Sequence, residues 1–184
     1  EIGELWIPAG SAAEPGVMEL VSEAVERGVA VRVVWRGFRA APGGMPVEIL
    51  HPARSRAERA ANERCLVVRA GVAPSRVLIA ADLEADGERA LLASGTSPRA
   101  EALIVGHHGA QGATTPAFLD AVAPSIAVAS VGLANRFDHP SPAVASRIRR
   151  RGVEFYRTDR DGQVRLEATE RGFAVAIRGR SEAE

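Results

Sequence analysis

The sequence predicts a mixed α/β fold, on three observations. Residues 4–35 read strand, helix, strand. Short apolar runs alternate with proline-marked helix starts from residue 77 to residue 156. The last apolar runs, Gln163–Ala168 and Phe173–Ile177, flank a glycine-containing turn and read as a closing hairpin. Alternating strands and helices of this kind build an α/β sheet.

In order, Glu4–Pro8 reads as a short strand. From Glu14-Pro15 the apolar positions Val17, Leu20, Val21, Ala24 and Val25 keep helical period and stop at Gly28. Val29–Trp35 is a strand, Gly43-Gly44 a turn, and Val47–Leu50 a strand. The polar stretch 53–64 reads as a solvated loop or short helix. Cys65–Ala70 and Val77–Ala81 form a hairpin around Gly71, and a helix from Asp82 to Leu92 follows, with Asp82 as its cap. Leu103–Val105 is a strand. Thr115-Pro116 starts a helix to Val122, Ile126–Ser130 is a strand, Ser141-Pro142 starts a helix ending near Gly152, and Val153–Tyr156 is a strand. One domain is expected over residues 1–178, with a frayed polar tail at 179–184.

A chain of 184 residues with 46% hydrophobic and 25% charged residues buries a real core. Its formal net charge is zero, so no overall field draws it to nucleic acid or membrane. All 23 basic residues are arginine, a side chain whose planar fork suits phosphate. The single cysteine, Cys65, excludes an internal disulfide and a cysteine-rich zinc site. It begins an apolar run and reads as a small core residue. No apolar stretch approaches the ~20 residues needed to cross a bilayer. The chain opens Glu1-Ile2-Gly3, which fits a piece of a longer protein.

The chemistry-bearing residues sit just beyond apolar strands. His107 and His108 end the segment Ala102-Leu-Ile-Val-Gly-His-His-Gly-Ala110. On a strand adjacent side chains face opposite ways, whereas a turn lets both reach one pocket. His139 lies in the loop Gly132-Leu-Ala-Asn-Arg-Phe-Asp-His-Pro140, held extended by the proline. Asp82 closes an earlier strand. His51 reads as structural. Imidazole and carboxylate together are the ligands of manganese and zinc, and a carboxylate bridging two metals supports phosphodiester cleavage. Thr158-Asp159 supports the site from behind or simply forms a turn with Asp161-Gly162.

These residues resemble the metallo-β-lactamase superfamily, and within it the C-terminal domain of the ComEC-like DNA-uptake channel family. Glu4-Leu-Trp-Ile-Pro8 is similar to the strand after the family's first metal motif. Asn62-Glu-Arg-Cys65-Leu-Val67 is similar to Asn-x-x-Ser-Leu-Val, and Leu78-Ile-Ala-Ala-Asp82-Leu-Glu84 to Leu-Leu-Thr-Gly-Asp-Leu-Glu. Val105-Gly-His-His-Gly-Ala110 resembles Val-Gly-His-His-Gly-Ser. Ser130-Val-Gly132 with Asn135-Arg-Phe-Asp-His-Pro140 resembles Ser-x-Gly followed by Asn-Arg-(Tyr/Phe)-Gly-His-Pro. Tyr156-Arg-Thr-Asp159 through Gly162 resembles Tyr-Arg-Thr-Asp-x-x-Gly.

The resemblance implies a four-layer αβ/βα sandwich, here lacking its N-terminal part. It implies Asp82 and His107 as metal ligands, His108 and His139 as catalytic side chains, and Asn62, Asn135, Thr158 and Asp159 as substrate-binding or supporting residues. The implied cofactor is manganese or zinc, in a dinuclear centre when the upstream His-x-Asp-x-Asp-His motif is present. The implied activity is metal-dependent cleavage of DNA during natural transformation. Single-stranded DNA and the rest of a membrane channel protein are the implied partners. The domain itself is then soluble, on the external or periplasmic face of a bacterial inner membrane. This chain departs from the pattern at Ala80-Ala81, where the family has Thr-Gly, and at Ala110, where it has serine. A hydrolase of another substrate and a non-catalytic DNA-binding or scaffold domain are the alternatives.

Overall fold

The computed structural model describes residues 2–54 and 64–178. Its strands are β1 (Glu4–Pro8), β2 (Ala30–Val34), β3 (Arg39–Ala40), β4 (Val47–His51), β5 (Val67–Ala70), β6 (Val77–Ile79), β7 (Ala102–Ile104), β8 (Ile126–Ala129), β9 (Glu154–Arg157), β10 (Gln163–Thr169) and β11 (Gly172–Arg178). Its helices are α1 (Pro15–Glu26), α2 (Ala85–Ala93), α3 (Pro116–Val122), α4 (Pro142–Arg149) and the one-turn α5 (Thr158–Asp161). The α/β class expected from the sequence is therefore the observed one.

Among the described residues the main sheet has seven strands in the order β3-β4-β5-β6-β7-β8-β9. The first four pair antiparallel, and β6 through β9 run parallel. Parallel neighbours need a crossover, and α2, α3 and α4 supply one each. The helices start where the sequence places them. Thr115 Oγ1 accepts the Phe118 N–H, and Ser141 Oγ accepts the Val144 N–H, each just ahead of a proline.

The sheet is covered on both faces. On one side Leu78, Leu103, Ala127 and Ala129 pack with Leu91, Phe118, Leu119, Val144 and Ile148 of the helices. On the other, Ala102, Ile126 and Val128 meet Val164, Leu166, Phe173 and Val175 of the β10–β11 hairpin. Strand β8 is buried along its whole length, as a strand covered on both faces must be. The parallel pair β1–β2 lies outside this sheet, joined by α1. Among the described residues no helix is long and apolar enough to cross a membrane.

Three details differ from the sequence reading. Helix α2 begins at Ala85, not Asp82, and its first flanking residue is Glu84. Ala81 at φ 49 turns the chain away before a helix can form, so Asp82 stands free of any capping role. The β5–β6 hairpin has a wider turn than Gly71 alone, because Ser75 N–H bonds the Val72 carbonyl. Strand β3, two residues long, is too short to leave a periodic signal in the sequence. Residues 55–63 and the tail 179–184 lie outside the described residues, and Asn62 with them.

Candidate functional site

The four parallel strands deliver their C-terminal ends to one edge of the sheet. Residues 80–84, 105–110, 130–140 and 158–161 follow β6, β7, β8 and β9. Open α/β sheets bind ligands at this edge, where strands end and loops are free to carry function. Every sequence-predicted site residue within the described part lies in one of these segments.

His107 and His108 lie on a tight turn, not a strand. Both adopt left-handed backbone, at φ 44 and φ 55. Left-handed backbone costs an L-residue with a Cβ roughly 1–2 kcal/mol, and such strain concentrates at functional sites. Two glycines make the turn possible. A Cβ on Gly106 would stand 2.7 Å from the Leu83 carbonyl oxygen, and one on Gly109, at φ 87, would stand 2.4 Å from the Pro140 ring. The His107 N–H donates to the Ala81 carbonyl at 2.7 Å, tying the histidine turn to the loop that carries Asp82.

Each ring of the pair is held through Nδ1. His107 Nδ1 lies 2.7 Å from Glu84 Oε1, and His108 Nδ1 lies 2.7 Å from the Ser130 carbonyl oxygen. A carbonyl or carboxylate oxygen accepts, so Nδ1 carries a proton in each ring, and in the neutral imidazole Nε2 is then the lone-pair nitrogen. The His107 and His139 ring centroids are 5.9 Å apart, and those of His107 and His108 are 6.3 Å apart. His139 stacks on the exposed Phe137 ring at 5.8 Å. Burial, and then the neighbouring His107 and His108, hold His139 below the ordinary histidine range. Its Nδ1 is buried with no hydrogen-bond partner among the described residues.

Asn135 positions His139 through the backbone. Its Oδ1 accepts the His139 N–H at 2.8 Å, and its Nδ2 donates to the His139 carbonyl at 3.0 Å. Thr158 ties the end of β9 to the loop after β8: its Oγ1 accepts the Val131 N–H at 2.7 Å and donates to the Val131 carbonyl at 2.8 Å. Asp159 pairs with Arg157, whose guanidinium beside it lowers the carboxyl below its usual range. Asn135 and Thr158 thus hold site loops in place, and a pocket lined by His108, Ser130, Gly132, Asn135, Phe137 and His139 opens between them. Asp82 is half-buried at the end of β6. Among the described residues no three His, Cys, Asp or Glu side chains gather as a full metal-ligand set.

Two contributors escaped the sequence reading of single residues. Glu84 was visible only as the last letter of the Asp82-Leu-Glu84 segment, and its partner is 23 positions away. Glu88 is fully buried beneath the site, where its carboxylate accepts the backbone N–H groups of Thr114 and Thr115. Burial raises its pKa, while those bonds and Arg147 oppose the rise. Its signal was a carboxylate beside Gly87 and Leu91 on the buried face of α2.

Fold and site together define an α/β domain with a histidine cluster at the carboxyl edge of parallel strands. The chain is 35% identical over 124 residues to Competence protein ComA of Neisseria gonorrhoeae, covering 67% of this chain and 18% of that protein. It is 29% identical over 164 residues to ComE operon protein 3 of Bacillus subtilis strain 168, covering 89% of this chain and 21% of that protein. The chain spans about a fifth of the length of these curated relatives. No family model matches it. The two relatives support the ComEC-like resemblance expected from the sequence.

Proposed function

We propose that this chain is the latter part of a metallo-β-lactamase-like four-layer domain, and that the domain is a metal-dependent DNase of a ComEC-like uptake protein acting in natural transformation. The similarity to Competence protein ComA and to ComE operon protein 3 supports the process. The sheet with helices on one face and a β-hairpin on the other is compatible with half of such a sandwich. In this reading the parent protein spans a membrane, with this domain on its external face.

The observation that carries the hydrolase reading is the state of His107. A histidine that donates Nδ1–H to a carboxylate and presents Nε2 is the ligand form favoured by metal ions. His107 with Glu84 has that form. His107 and Asp82 would hold a divalent metal, manganese or zinc, and the remaining ligands come from the His-x-Asp-x-Asp-His residues expected upstream. A metal bound there supplies a polarised phosphodiester and a more acidic water. His108, its Nδ1 engaged, directs Nε2 chemistry toward the substrate side, and His139 shares the pocket with it. A neutral His139, favoured by its lowered pKa, accepts a proton at mildly acidic pH where an ordinary histidine is already charged.

The test is cleavage of single-stranded DNA by the full-length protein with manganese or zinc. Asp82→Ala and His107→Ala should abolish it. Glu84→Ala should weaken metal binding about 10–100-fold while leaving the fold intact. Cleavage unchanged by Asp82→Ala and His107→Ala would sink the reading.

A further inference from the structure

A second cavity opens behind the His139 loop, lined by Asp138, Ser146, Arg149, Arg150, Arg157 and Arg160 among others. Four arginines, from α4 and the residue that caps it, β9 and α5, converge on it, although the whole chain has no net charge. Arginines at the end of a helix are often explained by the helix dipole, by ion pairs or by bonds to backbone carbonyls. That explanation accounts for two others here. Arg147 bonds the Ala113 and Thr114 carbonyls, and Arg151 forks onto Asp120. It does not account for the cavity residues equally. Arg157 is paired with Asp159, whereas no carboxylate lies within ion-pair distance of Arg149 or Arg150 among the described residues. Arg149 instead sits 5.4 Å over the Phe155 ring.

The cavity shares a wall with the histidine pocket. Asp138 and Pro140 line the arginine side, and Phe137 and His139 line the histidine side. Phe137 is 65% exposed, an unusual position for a large aromatic. Exposed aromatics beside a positive groove serve single strands as stacking platforms, and arginine forks suit phosphate oxygens. We propose that the arginine-lined cavity is a phosphodiester subsite for a single nucleic-acid strand, which crosses the 137–140 wall with a base on Phe137 and a neighbouring phosphate on Arg149 and Arg150. The proposal rests on the nuclease reading for its choice of ligand, and it places substrate contacts away from the metal-binding histidine. An anionic lipid headgroup is the competing ligand, but the cavity's continuity with the histidine loops favours the strand.

The experiment is fluorescence anisotropy of a labelled oligothymidine of about 16 nucleotides with the full chain in EDTA, so that cleavage plays no part. Affinity is measured between about 50 and 200 mM salt. Arg149→Gln with Arg150→Gln should weaken binding at least about tenfold at low salt and reduce the salt slope by about 1.4, the value for two single-strand phosphate contacts. Ser146→Asp, which removes no arginine but adds a negative charge to the cavity, should weaken binding in the same direction. Arg151→Gln should bind as the parent does. Unchanged binding in both cavity variants overturns the subsite. So does a chain that ignores oligothymidine but binds phosphatidylglycerol vesicles through these arginines. If cavity variants bind normally while His107→Ala abolishes metal-dependent cleavage, the subsite fails and the nuclease reading stands. If binding depends on the arginines but no metal supports cleavage, the subsite stands and the nuclease reading fails.

Discussion

The chain contains two parallel β-α-β regions, β1–α1–β2 and the run from β6 to β9, and they treat similar apolar sequences differently. Strand β8, Ile-Ala-Val-Ala, is buried at every position, whereas β2, Ala-Val-Arg-Val-Val, buries only Val34. Helix α3 buries Phe118, Leu119 and Val122, whereas α1 buries only Ala24. Met18, Leu20, Val25 and Val33 remain substantially exposed. The regions differ in backbone as well. All six non-glycine residues at positive φ among the described residues lie between Ala81 and Asp138, while the turns at residues 10, 28 and 37 use glycine. Apolar periodicity therefore identifies an element in both regions, but burial needs a partner. Strain is concentrated where the histidines are, as expected of a site that functional geometry has shaped.

The comparison breaks most easily at the core. Phe118→Ala should cost about 3–5 kcal/mol in urea unfolding, because a fully buried ring leaves a cavity between helix and sheet. A loss under 1 kcal/mol would mean that the parallel region is no better packed than the first. A smaller effect is expected at acid pH. The Arg76 guanidinium bound to Glu101 lowers that carboxyl from 4.5 to about 2, and the Arg76 N–H adds to it. A depressed carboxyl stabilises the fold above its unfolded value and loses that contribution as pH falls toward 2. Glu101 ties the loop before β6 to the start of β7, so the parent should lose roughly 2–3 kcal/mol between pH 5 and 2 that Glu101→Gln does not. Parallel pH profiles of the two would refute the assignment.

Backbone strain sharpens the contrast further. Ala81 holds φ 49 where glycine would be at ease. Ala81→Gly should raise the melting midpoint, corresponding to a gain in unfolding free energy of about 0.5–1 kcal/mol after the extra entropy of the unfolded glycine is offset. A lower midpoint would mean that the Ala81 methyl packs usefully and that strain is not the dominant effect. The smallest change is expected in the first region. Leu20→Ala should shift stability by no more than about 0.5 kcal/mol, since the side chain is 48% exposed and alanine suits a helix. A large loss there would show that α1 is covered in solution.

Much of the fold was legible because its signals are local. The Thr115-Pro116 and Ser141-Pro142 starts, the Gly28 stop and the closing hairpin all depend on residues a few positions apart, and these starts, this stop and the hairpin strands lie within about two residues of their expected positions. The site was legible as a set of loops, since strand ends followed by glycine are also local signals. Asp82 resembles a cap in the sequence because the same residue preference marks a cap and a tight turn. Only the left-handed Ala81 separates the two.

By itself, the sequence determined the α/β class, the strands whose following loops carry His107, His108 and His139, and the resemblance to a competence domain. Tertiary structure alone decided which atoms those histidines present. Glu84 reaches His107 and the Ser130 carbonyl reaches His108 only because β6, β7 and β8 lie side by side in that order. The arginine cavity has the same origin. Its charges are spread over residues 149–160, and a count over the whole chain cancels them against carboxylates elsewhere. Charge interactions weaken with separation in space, so it is the packing of α4 against β9 that turns a neutral sequence into a locally basic surface.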